Sequence, residues 1–256
     1  MRYAQNFSPL VSCYFHKTPP LLPAVVCGSL PHPCGKVKHP RNTNLLRYAI
    51  SDIHGCSKTF KLALSEINLQ PTDELFLLGD YIDRGPDSQG VLEMIWDLEA
   101  SGQPIVCLRG NHEEMVLEYV AGKRDRYEWF PQPELKQKTL NWFASLPHYH
   151  ETPGYILVHA GLNFLHPEPL SDEYEMLWAR YWYDDMVKNP DFLGDRIVIH
   201  GHTPAKMLSI RKSIQLMAEN QYTCIDSGCS QEMEGMGYLT VLNLDTQEGT
   251  FVRCID

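Results

Sequence analysis

No two of the eight cysteines are spaced C-x-x-C, so no local zinc or dithiol redox motif is present. Eight cysteines in 256 residues are also too few for a disulfide scaffold. A reduced, cytoplasmic protein is therefore expected, with Cys107 a small buried thiol inside an apolar strand. No apolar run approaches the ~20 residues of a membrane-spanning helix, and no membrane partner is expected. Residues 1–46 hold Arg2, Lys17, Lys36, Lys38 and Arg41 but no acid, so the net charge of -10 leaves about -15 on residues 47–256. An acidic body argues against binding to a nucleic-acid backbone, although local positive charge can still hold a single phosphate. Internal repeats and low-complexity tracts are also lacking.

What is present divides at about residue 45. Residues 1–45 contain Pro9, Pro19, Pro20, Pro23, Pro31, Pro33 and Pro40, which interrupt any periodicity. They are expected to form a poorly structured extension, dispensable for folding and turnover, with a true start at or near Leu46. A targeting or regulatory extension is the competing reading. Residues 46–256 are expected to form a single catalytic domain. Here β-rich runs alternate with helical patterns, as in an α/β architecture. "LRYAIS", "LFLLG", "PIVCLRG", "YILVHAG", "RIVIHG" and "YTCIDSG" read as strands, and "GYLTVLNLD" with "GTFVRCID" as a hairpin. "KTFKLALSEINL", capped by Ser57, "DSQGVLEMIWDLEA", "EEMVLEYVAG" and "PELKQKTLNWFASL" read as helices. A polar and aromatic insertion covers about residues 162–194.

Five strands end in one chemical vocabulary: "SDIHG", "GDYIDRG", "GNHE", "HAG" and "GHT". The carboxyl ends of strands in an open α/β sheet share one crevice, so these loops are expected to converge. Asp52, His54, Asp80, Asn111, His159 and His202 mix hard oxygen donors with imidazoles, which suits borderline ions such as manganese, iron or zinc. Six ligands exceed the needs of one ion with open positions and suit two ions sharing a carboxylate.

This ordered set resembles the phosphoprotein phosphatase family of calcineurin-like metallophosphoesterases, especially its compact bacterial and phage serine/threonine phosphatases. The resemblance covers nearly all of residues 46–256. It implies a central β-sandwich of mixed sheets flanked by helices. It implies two divalent ions, manganese first, with Asp52, His54 and Asp80 on one and Asp80, Asn111, His159 and His202 on the other. It also implies that His112 is the general acid, that Asp83 holds its imidazole, and that Arg84, Arg180 and Asn111 bind substrate. Ser51 stands where the family more often has glycine. His200 and Asp226 are expected to support the ligands or to pack beside them.

The reaction so implied is hydrolysis of a phosphomonoester on a protein or peptide by direct attack of metal-bound water, by a monomeric enzyme. A cysteine-nucleophile phosphatase is set aside, since no cysteine has arginine at the C-x-x-x-x-x-R spacing. The symmetrical bis(5'-nucleosyl)-tetraphosphatases share the metal framework and are the alternative. They typically resemble "ARG" and "GNHD" where this chain has "DRG" and "GNHE". A non-catalytic binding module is opposed by the presence of every expected ligand together with Asp83, His112 and Arg84.

Overall fold

The computed structural model describes residues 45–127, 129 and 131–256, so the expected N-terminal extension lies outside the described residues except for Leu45. The strands are β1 (Arg47–Ile50), β2 (Glu74–Leu77), β3 (Ile105–Cys107), β4 (Tyr149–Thr152), β5 (Tyr155–Val158), β6 (Ile197–His200), β7 (Tyr222–Cys224), β8 (Tyr238–Asn243) and β9 (Glu248–Arg253). The helices are α1 (Ser57–Glu66), α2 (Ser88–Ser101), α3 (Asn111–Val120), α4 (Lys136–Ser145), α5 (Glu173–Trp178) and α6 (Met207–Asn220). One sheet has the order β3-β2-β1-β8-β9 and the other β4-β5-β6-β7. β1, β2 and β3 run parallel, as do β5, β6 and β7, while β8, β9 and β4 add antiparallel edges.

Side chains alternate across each sheet, and the alternation builds three apolar layers. Ala49, Phe76 and Leu242 of the first sheet share a core with Tyr155, Leu157 and Ile199 of the second, which places the two sheets face to face. Their neighbours Ile50, Leu75 and Leu77 turn the other way and pack with Phe60, Leu92, Val116 and Phe143 of the helices. On the outer face of the second sheet, Ile156, Val158 and Val198 pack with Leu162, Phe164, Met176 and Trp182 of the insertion. Two mixed sheets packed face to face and flanked by helices are the architecture that the resemblance implies.

Three local expectations differ from the structure. Ser57 does not cap α1. Cys56 occupies that position without a side-chain cap, and Ser57 Oγ instead donates to Asp87 Oδ2 at 2.6 Å. Asp87 is the capping residue of the next helix, accepting from Gly90 N at 2.9 Å. The elements expected from sequence also include neither α6 nor β4. The buried positions of α6, Ile210, Ile214 and Met217, do have helical spacing. β4 is a polar, partly exposed edge strand, and its alternation carries little hydrophobic signal. No helix among the described residues is long and apolar enough to cross a membrane.

Candidate active site

β1, β2, β3, β5 and β6 each end in one of the polar loops, and hydrogen bonds lace the loops together. His54 N donates to Asp80 O at 2.9 Å, Gly55 N to Tyr81 O at 2.8 Å, and Gly201 N to His159 O at 2.8 Å. The turns demand backbone angles that L-residues avoid. Asp52 (φ 52°), His54 (47°), Asp80 (55°), Asp83 (70°), Arg84 (66°) and His202 (65°) are all left-handed. Each such residue costs about 1–3 kcal/mol and persists only where surrounding contacts over-determine it. Glycine permits the closest approaches. A Cβ on Gly201 would lie 1.7 Å from Ser51 Oγ and 2.0 Å from Asp52 Oδ2.

Asp80 lies at the centre. His159 Nε2 is 3.4 Å from its Oδ1, and His54 Nε2 is 3.5 Å from its Oδ2. Burial opposes its charge, but His159, His112 and His54 hold its pKa below the usual carboxylate value. The Nδ1–H of His54 donates to Ile82 O at 2.9 Å and that of His159 to Leu78 O at 2.8 Å, so each ring turns the lone pair of Nε2 inward. Asn111 Oδ1 lies 3.0 Å from His159 Nε2 and 2.9 Å from His202 Nδ1. Burial lowers the pKa of His54, and burial followed by repulsion from His159 lowers that of His202 to about 3. Both rings are therefore neutral donors.

These residues fit two divalent cations. His54 Nε2 and His202 Nε2 are buried without a hydrogen-bond partner, the state that a cation relieves. Two groups of donor atoms, one from His54, Asp80 and His112 and one from Asp80, His159 and His202, each lie within 4.8 Å of one another. Asp80 belongs to both, as a shared carboxylate must. Asp52 lies beside the first group. Its Oδ1 is 3.9 Å from His54 Nε2, while its carboxylate accepts from the Ser51 hydroxyl and from His202 N at 3.0 Å. A carboxylate has about four lone-pair sites, so acceptor capacity remains for an ion. Ser51 thus orients the Asp52 carboxylate, which glycine at that position could not do.

His112 stands on the first turn of α3, beside this cluster. Its Nδ1–H donates to Asp83, which also accepts from the Tyr127 hydroxyl. Tyr127 is further held by His112 O at 3.2 Å. The other ring nitrogen, Nε2, lies 3.8 Å from Asp80 Oδ2 and 3.4 Å from Arg84 Nη2. Burial disfavours a charge on this ring, but Asp80 and Asp83 outweigh it and raise the pKa. A proton held at Nε2 therefore faces the space bordered by Arg84 and the candidate ligands. Arg180 is exposed just beyond α5, close enough for its charge to lower the pKa of His202.

His200 is buried against Trp182 and Tyr183, with its Nδ1–H donating to Gly201 O at 3.0 Å, so it packs behind the loop. Asp226 accepts from Gly228 N at 2.9 Å and shapes that turn, and burial followed by the charge of Asp52 raises its pKa well above normal. Sequence reasoning missed Tyr127 and Glu113. Glu113 is fully buried and accepts from Asp80 N at 2.9 Å, Tyr81 N at 2.9 Å and Gly110 N at 3.0 Å. Burial, then repulsion from Asp80, raises its pKa to about 7. A glutamate three residues after a helix cap was the available signal. Glu113→Ala would strand three buried N–H groups and is expected to destabilise the fold by roughly 3 kcal/mol or more, at about 1–3 kcal/mol each. Urea unfolding measures it. A loss below about 1 kcal/mol would show that water replaces the carboxylate.

The calcineurin-like phosphoesterase family model matches residues 47–232. The symmetrical bis(5'-nucleosyl)-tetraphosphatase of Nitrosomonas europaea is 36% identical over 121 residues, which is 45% of this chain and 44% of that protein. Its counterpart from Cellvibrio japonicus is 31% identical over 170 residues, covering 62% of this chain and 58% of its own length. The chain thus spans about half the length of these curated relatives. A solved protein serine/threonine phosphatase from Saccharomyces cerevisiae superposes with a TM-score of 0.60 over 84% of this chain and 82% of its own, at 14% identity, a likeness of fold alone. Since the family match runs from β1 past β7 and contains all five strand-end loops, the chain belongs to the calcineurin-like phosphoesterases, a family of metal-dependent hydrolases.

Proposed function

We propose that this chain is a symmetrical dinucleoside tetraphosphate hydrolase, which is a different substrate from the phosphoprotein favoured by the sequence motifs. The curated relatives support this shift, and one feature beside His112 carries it. A cleft of about 580 Å³ is lined by Arg84, Arg124 and Arg126 together with Tyr127 and Trp129. Guanidinium groups bind phosphate oxygens in bidentate fashion, and aromatic faces stack on nucleobases at about 1–3 kcal/mol per base. Arginines and aromatic rings that share one cleft suit a polyphosphate tethered to a nucleoside. Arg124 is braced by Glu118 at 3.0 Å, and Arg126 is exposed in the cleft.

Water attacks one inner phosphorus, the bond to the central bridging oxygen breaks, and two nucleoside diphosphates leave. Divalent ions, manganese first, would when bound activate that water and neutralise charge on the phosphoryl oxygens. Asp52, His54, Asp80, Asn111, His159 and His202 are the residues that would hold them. Arg84 and Arg180 orient the phosphoryl group by charge-assisted hydrogen bonds. His112 Nε2, fixed by Asp83 and Tyr127, delivers a proton to the departing oxygen.

A second reading, phosphoprotein phosphatase, draws support from the His112–Asp83–Tyr127 arrangement. A nucleoside diphosphate leaves readily as an anion, whereas the oxygen of serine or threonine needs a proton. Side-by-side rates on diadenosine tetraphosphate and a phosphoserine peptide, with manganese supplied, separate the two. The tetraphosphate is expected to be the faster substrate, and a faster phosphopeptide would overturn the proposal. Arg126→Ala is expected to lower kcat/KM on the tetraphosphate by about 10- to 100-fold, the worth of one charge-assisted hydrogen bond. An unchanged value would remove the cleft from the binding site.

A further inference from the structure

Three cysteines far apart in sequence meet in one cluster outside the candidate active site. Cys56 lies at the start of α1, Cys229 in the turn after β7 and Cys254 just after β9. Their sulfur atoms all lie within 4.8 Å of one another, and those of Cys56 and Cys254 are 3.9 Å apart. Sulfur atoms around a tetrahedral zinc ion, with Zn–S bonds of about 2.3 Å, are separated by about 3.8 Å, so small side-chain rotations close the triad on an ion. Cys56 and Cys229 are buried and Cys254 is half-buried, which leaves one side open. That side is a cavity of about 670 Å³ lined by all three cysteines.

We propose that Cys56, Cys229 and Cys254 form a binding site for a soft, thiophilic cation such as zinc. Thiolates select such ions over the hard or borderline ions suited to the Asp/His cluster, so the two sites differ in chemistry. Binding displaces the thiol protons to solvent as sulfur–metal bonds form, with no change of oxidation state. Three thiolates around a divalent ion leave one excess negative charge, and the guanidinium groups of Arg84 and Arg253 line the same cavity. The fourth tetrahedral position opens to the cavity. Ser230, whose buried hydroxyl has no hydrogen-bond partner, is also on its wall. Asp256, another wall residue, is held by Thr59 N at 2.9 Å and by the Thr59 hydroxyl at 2.6 Å, which anchors the chain beside Cys254.

The test uses the full-length chain with Cys13, Cys27 and Cys34 changed to serine, kept reduced by a phosphine. Titration with cadmium is expected to raise an ultraviolet thiolate-to-metal charge-transfer band that saturates at one equivalent of thiolate-bound ion. Asp and His ligands give no such band, so the candidate active site does not contribute. Adding Cys229→Ser and Cys254→Ser is expected to abolish it. No band in the reduced parent, or a band of equal strength in the doubly substituted chain, would overturn the proposal. X-ray absorption on the zinc-loaded parent guards against a variant that misfolds. A sulfur shell near about 2.3 Å supports the site, and a nitrogen/oxygen shell alone refutes it.

Discussion

Replacing His112 with asparagine is expected to slow hydrolysis of an alkyl phosphate by about 10²- to 10⁴-fold, the usual contribution of a positioned general acid. The structure makes this a test of proton delivery and not of metal binding. The backbone N–H of His112 donates to Asp80 Oδ1 at 3.0 Å, a contact that survives the substitution. Metal content should therefore stay close to that of the unsubstituted protein. The side chain alone carries the acid, because Nδ1 is committed to Asp83 and Nε2 faces the reacting space. On an aryl phosphate or a dinucleoside tetraphosphate the leaving oxygen is a stable anion, and the loss should shrink. Equal losses on good and poor leaving groups would show that His112 is not the acid. Loss of metal would show that it is a ligand, as its place in the group with His54 and Asp80 allows.

Asp80→Asn is expected to have an effect of about 10³-fold or more on kcat/KM, accompanied by loss of bound metal. Metal ions stabilise charge in the transition state by several kcal/mol, and about 1.4 kcal/mol is a factor of ten. Among the described residues, Asp80 is the carboxylate common to both groups of donor atoms, so neutralising it weakens both ions together. Asparagine nearly preserves shape, and Glu113 still receives the backbone N–H groups of Asp80 and Tyr81, so the loop should hold its course. Elemental analysis alongside the rate reads out both effects. A variant that keeps two ions and more than a tenth of the activity would disprove a shared role for Asp80.

Much of this site was legible before any coordinates because its chemistry is local in sequence. A short parallel strand must end at the edge of the sheet, so "SDIHG", "GDYIDRG", "GNHE", "HAG" and "GHT" were placed by the periodicity of the strands before them. Residue type then supplied hard oxygen and imidazole donors, and motif order supplied the family. The two-layer fold was implied by the family resemblance that those motifs carry, and the two mixed sheets agree with it. What the motifs favoured less well was the substrate. "DRG" and "GNHE" point to a phosphoprotein, whereas the relatives favour a dinucleoside tetraphosphate, because the metal centre that dominates the motifs is common to both reactions.

Contacts across long sequence separations were decided by tertiary structure alone. Tyr127 reaches Asp83 from 44 residues away, and Glu113 spans Gly110, Asp80 and Tyr81 only because two strand-end turns are pressed together. No spacing rule foretells such pairs. The cysteines make the point most clearly. In sequence none has a C-x-x-C partner, so no local spacing points to a metal role for them. In the fold, Cys56 and Cys254 are separated by 198 residues and 3.9 Å. The pairing of β1 with β8 and of β8 with β9 brings the last strand alongside the first helix and closes the triad. Sequence determines which donors exist and which strand ends carry them, because those depend on residue type and local periodicity. Which donors meet is set by sheet order, because only a completed hydrogen-bonded sheet brings distant segments of the chain within a few ångströms.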